Sequence, residues 1–133
     1  ELLRMQTMKT GALIRAAVLM GAQAGDWTNL PDEGRSGLAV YSQALGLAFQ
    51  VIDDILDCTQ ETAVLGKTAG KDEKDDKPTW VSILGLEGAR KKAGELRAEA
   101  QFGLDLVAKT EGLAPDATKR LGEIADYVLN RSF

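Results

Sequence analysis

The stretch LAVYSQALGLAFQVIDDILD, residues 38–57, decides how the rest of the chain is read. Leu38, Tyr41, Leu45, Ala48, Ile52 and Ile55 recur at three- and four-residue steps, the spacing that lines one face of an α-helix. Extended outward, the pattern predicts a long helix over about 32–60, with Asn29 as N-cap and Pro31 in the first turn. The same helix carries three acids within five residues, Asp53, Asp54 and Asp57, among the apolar Val51, Ile52, Ile55 and Leu56. Asp53 and Asp57 are four apart, so they share a face about 6 Å apart along the axis. Asp54 and Asp57, three apart, are also neighbours.

Such a cluster is locally unfavourable. Like charges at this spacing weaken a helix by a few tenths of a kcal/mol per pair. Asp is a poor helix former, and the cluster falls towards the expected C-terminal end, where the macrodipole disfavours negative charge. These costs point to a compensating cation. Mg²⁺ suits the pattern, because it takes one or two protein carboxylates and completes its shell with water and substrate phosphates. A solvated acidic patch has the same spacing, but its flanks are usually more polar than these.

Outward from this helix, residues 1–24 also read as helical, with Leu3, Leu13, Ile14, Ala17, Val18 and Met20 near helical spacing. Gly25 to Pro31 reads as a turn and 61–77 as a polar connector. Helical pattern resumes over Thr79–Leu86 and again over about 87–110, where Ala89, Ala93, Leu96, Ala100, Leu104 and Val107 fall on one face. A last helix is expected after Gly112, with Pro115 in its first turn and Ala117, Leu121, Ile124 and Val128 inward. Nothing alternates long enough to suggest a strand. The expectation is an all-α chain, with residues 1–133 in one domain.

Composition narrows the function. The chain has 133 residues, 44% hydrophobic and 27% charged, with a net charge of −4, which argues against a nucleic-acid partner. A single cysteine, Cys58, forms no internal disulfide. With no histidine there is no histidine base and no histidine-ligated metal. No apolar run is long enough to cross a membrane, and no signal peptide is visible, so a cytoplasmic location is expected. The chain begins at Glu1 inside a helical pattern, so further sequence is expected upstream.

The segment from Gly46 to Asp57, GLAFQVIDDILD, resembles the second aspartate-rich motif of the trans-prenyl diphosphate synthases, GxxFQxxDDxxD. Met8-Lys9-Thr10-Gly11-Ala12-Leu13-Ile14 is similar to that family's KTG helix. Leu65 to Asp72, Asp76-Lys77-Pro78-Thr79 and Tyr127 to Arg131 resemble the segments that follow. The resemblance covers nearly the whole chain, with its motifs in order.

The resemblance implies an isoprenoid synthase helical bundle, of which this chain is the C-terminal portion, and a homodimer. It implies a Mg²⁺-dependent prenyltransferase that condenses isopentenyl diphosphate with an allylic diphosphate, giving a geranyl-, farnesyl- or geranylgeranyl-type product. Asp53, and less directly Asp54 and Asp57, would hold Mg²⁺ against the allylic diphosphate. Lys9, Lys67 and Lys77 would contact that diphosphate. Thr10 and Gln50 would line the reacting region, and Phe49 would pack beside the substrate. The missing histidine is no obstacle, since the released diphosphate serves the family as base.

Two features depart from the pattern. The family's first aspartate motif, its isopentenyl diphosphate site and the residues that set product length belong to an N-terminal half that this chain does not contain. Position 8 is Met where some bacterial relatives have His. A non-catalytic subunit of a heteromeric synthase would be expected to lose the Asp and Lys set, which is kept. A class I terpene cyclase would carry an Asn/Ser/Glu metal motif, which is not found.

Overall fold

The computed structural model describes residues 1–65 and 78–131. Helix α1 (Leu2–Gln6) passes through one π-helical turn (Thr7–Gly11) into α2 (Ala12–Ala24). A short 3₁₀ turn (Trp27–Asn29) leads to α3 (Asp32–Leu65). Helix α4 (Trp80–Ala108) and helix α5 (Lys119–Asn130) follow. The described residues contain no strand, and the chain is all-α as expected.

The interior forms where α3 and α4 meet. Leu38, Tyr41, Leu45, Ala48, Ile52 and Ile55 are all buried, and so are Ala89, Ala93, Leu96, Ala100, Leu104 and Val107 across from them. Both stripes match their periodicity. Small residues let the helices approach closely. A Cβ on Gly37 would lie 2.4 Å from the Gly103 carbonyl oxygen, and one on Gly103 would lie 2.5 Å from that of Gly37. The two helices therefore touch backbone to backbone at this crossing. Helix α5 closes the end, where the buried Tyr41 hydroxyl donates to the Leu121 carbonyl at 2.7 Å. Burial pushes the Tyr41 phenol up to about 12.

Several local expectations are corrected. Asn29 does not cap α3, because its amide donates to both oxygens of Asp26 at 2.9 Å. The first turn is closed instead by the Pro31 carbonyl, which accepts from the Arg35 N–H at 3.0 Å. Helix α3 runs on to Leu65, so its acids lie two turns or more from its end, beyond the reach of the terminal dipole. The rest of the expected connector, residues 66–77, lies outside the described residues.

The two helical segments expected over 79–110 are one element with a kink at Gly85, whose φ of 72° is open to glycine but strained for other residues. Helix α5 starts at Lys119, and Pro115 precedes it in a turn. Ala125, Val128 and Leu129 face inward, whereas Ala117 and Ile124 are exposed. The N-terminal helix also departs from expectation. Its π-turn breaks the periodicity, and α2 buries no residue, with Leu13 72% and Met20 67% exposed.

Candidate functional site

Helix α3 carries two stripes of opposite character. One is the buried core face. The other runs Gly46, Gln50, Asp53, Asp57, at steps of four, three and four residues, so the four positions line up along the axis. Gly46 is buried, Gln50 and Asp53 are half-buried and Asp57 is exposed, so the stripe opens progressively to solvent.

The π-turn meets this stripe at Gly46. A Cβ there would come within 2.9 Å of the Gly11 Cα, so the backbones of the turn and of α3 are in direct contact. Lys9 and Thr10 sit on that turn, with Lys9 exposed and Thr10 half-buried. Gly46 and Asp53 are seven residues apart, about 10 Å along the helix. The turn therefore brings Lys9 and Thr10 to the Gly46 end of the stripe, about 10 Å along the axis from the first carboxylate. A π-helical turn inside an α-helix is uncommon and is found frequently at functional sites.

The three acids have different surroundings. The Asp53 Oδ1 accepts from the Arg131 Nη2 at 3.1 Å, joining residues 78 positions apart. The Arg131 guanidinium also lies over the Phe49 ring, 4.4 Å from its centroid. The Asp54 Oδ2 accepts the backbone N–H of Trp80 at 2.8 Å, at the first residue of α4. A carboxylate at a helix N-terminus meets unsatisfied N–H groups and the positive end of the dipole. Thr79 and Ser82 close the same terminus reciprocally, the Ser82 N–H donating to the Thr79 hydroxyl at 3.0 Å and the Thr79 N–H to the Ser82 hydroxyl at 2.8 Å. Asp54 thus joins the middle of α3 to the start of α4, while Asp57 projects into solvent.

Among the described residues, no three Asp, Glu or Cys side chains converge as a ligand set for a metal ion. The donor chemistry still fits Mg²⁺, which needs only one or two protein carboxylates, and Asp53 and Asp57 share an open face. Lys67 and Lys77 lie outside the described residues. A groove of about 460 Å³ opens between α2 and α3, lined by Gly11, Ala12, Arg15, Ala16, Leu19, Gln43 and Leu47. It runs beside the π-turn rather than over the acids. No helix among the described residues is long and apolar enough to cross a membrane.

Sequence reasoning pointed to the acids, Lys9, Thr10, Phe49 and Gln50 as candidates. It missed what holds them: the Arg131 contact, the helix-terminal role of Asp54 and the Gly11–Gly46 approach. The paired glycines in the two quoted motifs were the one available signal for the last of these. Helical spacing says nothing of partners 26 or 78 residues away.

Comparison with known proteins gives a consistent result. A family model for polyprenyl synthetase matches residues 1–105. The farnesyl diphosphate synthase of Escherichia coli (strain K12) is 45% identical over 132 residues, covering 97% of this chain and 41% of that protein. A probable farnesyl diphosphate synthase of Sinorhizobium fredii is 46% identical over 117 residues, covering 86% of this chain and 32% of that protein. The chloroplastic geranylgeranyl pyrophosphate synthase of Capsicum annuum is 42% identical over 123 residues, covering 92% and 31%. The chain spans about a third to two-fifths of the length of these curated relatives.

Proposed function

The chain belongs to the polyprenyl synthetase family, and from that premise we propose that it forms one wall of a prenyltransferase site, where an allylic diphosphate is ionised and joined to isopentenyl diphosphate. The observation that carries this reading is the stripe of Gln50, Asp53 and Asp57, which opens progressively to solvent along α3, with Lys9 and Thr10 brought to its Gly46 end by the Gly11–Gly46 contact.

Asp53 and Asp57 are the residues to hold Mg²⁺, and Asp54 contributes by fixing α4 against α3. When bound, the ion neutralises the charge that builds on the departing diphosphate. Lys9 adds a compact positive charge suited to a phosphate oxygen, acting where negative charge develops. Lys67 and Lys77 are assigned the same task on the family resemblance. Thr10 and Gln50 present polar atoms towards the region where the allylic cation forms, and Phe49 offers an aromatic edge to the substrate. The apolar surroundings of Gln50 help exclude the water that would quench that cation.

The same reading places the 133 residues within the C-terminal half of a single helical domain that works in the cytoplasm as a homodimer. Product length is set outside this chain and is left open between the geranyl, farnesyl and geranylgeranyl classes.

The test is a prenyl-transfer assay on the natural full-length polypeptide, with Mg²⁺, isopentenyl diphosphate and dimethylallyl, geranyl or farnesyl diphosphate in turn. Asp53→Ala is expected to lower turnover on the order of a hundredfold or more. Turnover indifferent to Mg²⁺ and to this substitution would overturn the assignment.

A further inference from the structure

We propose that the Arg131 guanidinium is a resident counter-ion for Asp53, which a divalent cation displaces in order to engage that carboxylate. This rests on the reading of Asp53 as a metal ligand.

Three contacts define the position of Arg131. Its Nη2 donates to the Asp53 Oδ1 at 3.1 Å, its guanidinium lies 4.4 Å from the Phe49 centroid, and its Nε donates to the Val128 carbonyl at 3.4 Å. Phe49 and Asp53 are one helical turn apart on α3, so the planar group covers the ring and reaches the acid together. A guanidinium suits this double task, because it stacks on aromatic faces and presents its N–H groups at the rim.

The contact removes part of the local cost that the acids impose on α3. Asp53 and Asp57 repel one another at four-residue spacing, and a cation beside Asp53 offsets that repulsion while no metal is present. A divalent ion approaching the same oxygen meets a positive charge already in place, and it gains Asp53 only as the guanidinium leaves.

The geometry also lets it leave. Arg131 is the residue just after α5, so its side chain can swing away without unpacking Ala125, Val128 and Leu129. The Arg131 and Asp53 side chains are 28% and 41% exposed, so their attraction is partly screened. An ion pair and a ring contact of this exposure together hold the acid by roughly fivefold, enough to bias the site without blocking it.

The probe is Mn²⁺, titrated into the substrate-free natural full-length polypeptide and followed by the electron paramagnetic resonance signal of the free ion. Arg131→Met keeps apolar contact with Phe49 and removes the charge. It is expected to tighten the Asp53-dependent component of binding by roughly fivefold. Arg131→Gln carries the same expectation should the Met variant not fold, and Asp53→Ala identifies the component in each background. Unchanged or weaker binding in the Arg131 variants, with an Asp53-dependent component still measured, would overturn the counter-ion and leave the metal site standing. No Asp53-dependent binding in any background would overturn both.

Discussion

Helices α2 and α4 both lie against α3, yet they are held in opposite ways. Helix α4 gives α3 a continuous buried stripe from Ala89 to Val107, and at Gly37 and Gly103 the two backbones touch. Helix α2 buries none of its residues, and only Ile14 and Val18 pack partly against the interior. Its close contact is at its entrance, where Gly11 meets Gly46. One seam is secured by the hydrophobic effect along its length, the other by a backbone approach at one point. The difference separates the part of the chain that maintains the fold from the part that places Lys9 and Thr10.

The comparison can be broken most directly at Ile52, which is fully buried. Ile52→Ala should destabilise the chain by roughly 2–5 kcal/mol in urea unfolding. A loss below about 1 kcal/mol would mean the seam is not where stability resides. Next is the crossing itself. Gly37→Ala forces a Cβ against the Gly103 carbonyl and should cost about 1–3 kcal/mol, measured in the same way.

Tyr41→Phe, which removes the hydroxyl that donates to the Leu121 carbonyl, should cost about 1 kcal/mol. It should also change the alkaline behaviour. In the folded chain the Tyr41 phenol keeps its proton up to about 12 rather than the ordinary 10. Between those values the unfolded state binds fewer protons, so stability falls as pH rises. The substitution should flatten that fall in melts recorded across this range.

The smallest effect belongs to the other seam. Leu13→Ser removes a large apolar side chain that is 72% exposed, and it should change the stability of this chain by no more than about 0.5 kcal/mol. The same substitution in the natural full-length polypeptide sharpens the contrast. A loss above about 1 kcal/mol there would show that another part of the protein covers this face of α2.

The two seams were also unequally legible in the sequence. The stripes of α3 and α4 could be read at sight, because burial along a regular helix imposes a period on the residues that pay no attention to anything else. The N-terminal helix misled, because Leu13 and Met20 obey helical spacing without a partner among the described residues to bury them. Asn29 misled for a different reason: a side-chain amide chooses between capping and a nearby carboxylate, and Asp26 prevailed. At the candidate site, the carboxylates and Lys9-Thr10 were visible as motifs. Their settings were not. The Asp54–Trp80 and Asp53–Arg131 bonds join distant residues through single contacts, which leave no periodic trace.

The π-turn at Thr7–Gly11 has a consequence for how this segment tolerates insertions and deletions. It amounts to a straight helix carrying one surplus residue. Deleting a single residue from it would let an ordinary helix re-form with both flanks close to their present phase, because the wider turn absorbs the surplus residue. The same deletion within α2, where nothing absorbs it, would rotate everything upstream by about 100°. Leu2, now buried, would be turned away from its packing. The surplus residue therefore leaves the phase between the start of the chain and α2 nearly unchanged, so a one-residue deletion in the turn should spare Leu2, which the same deletion in α2 would disturb.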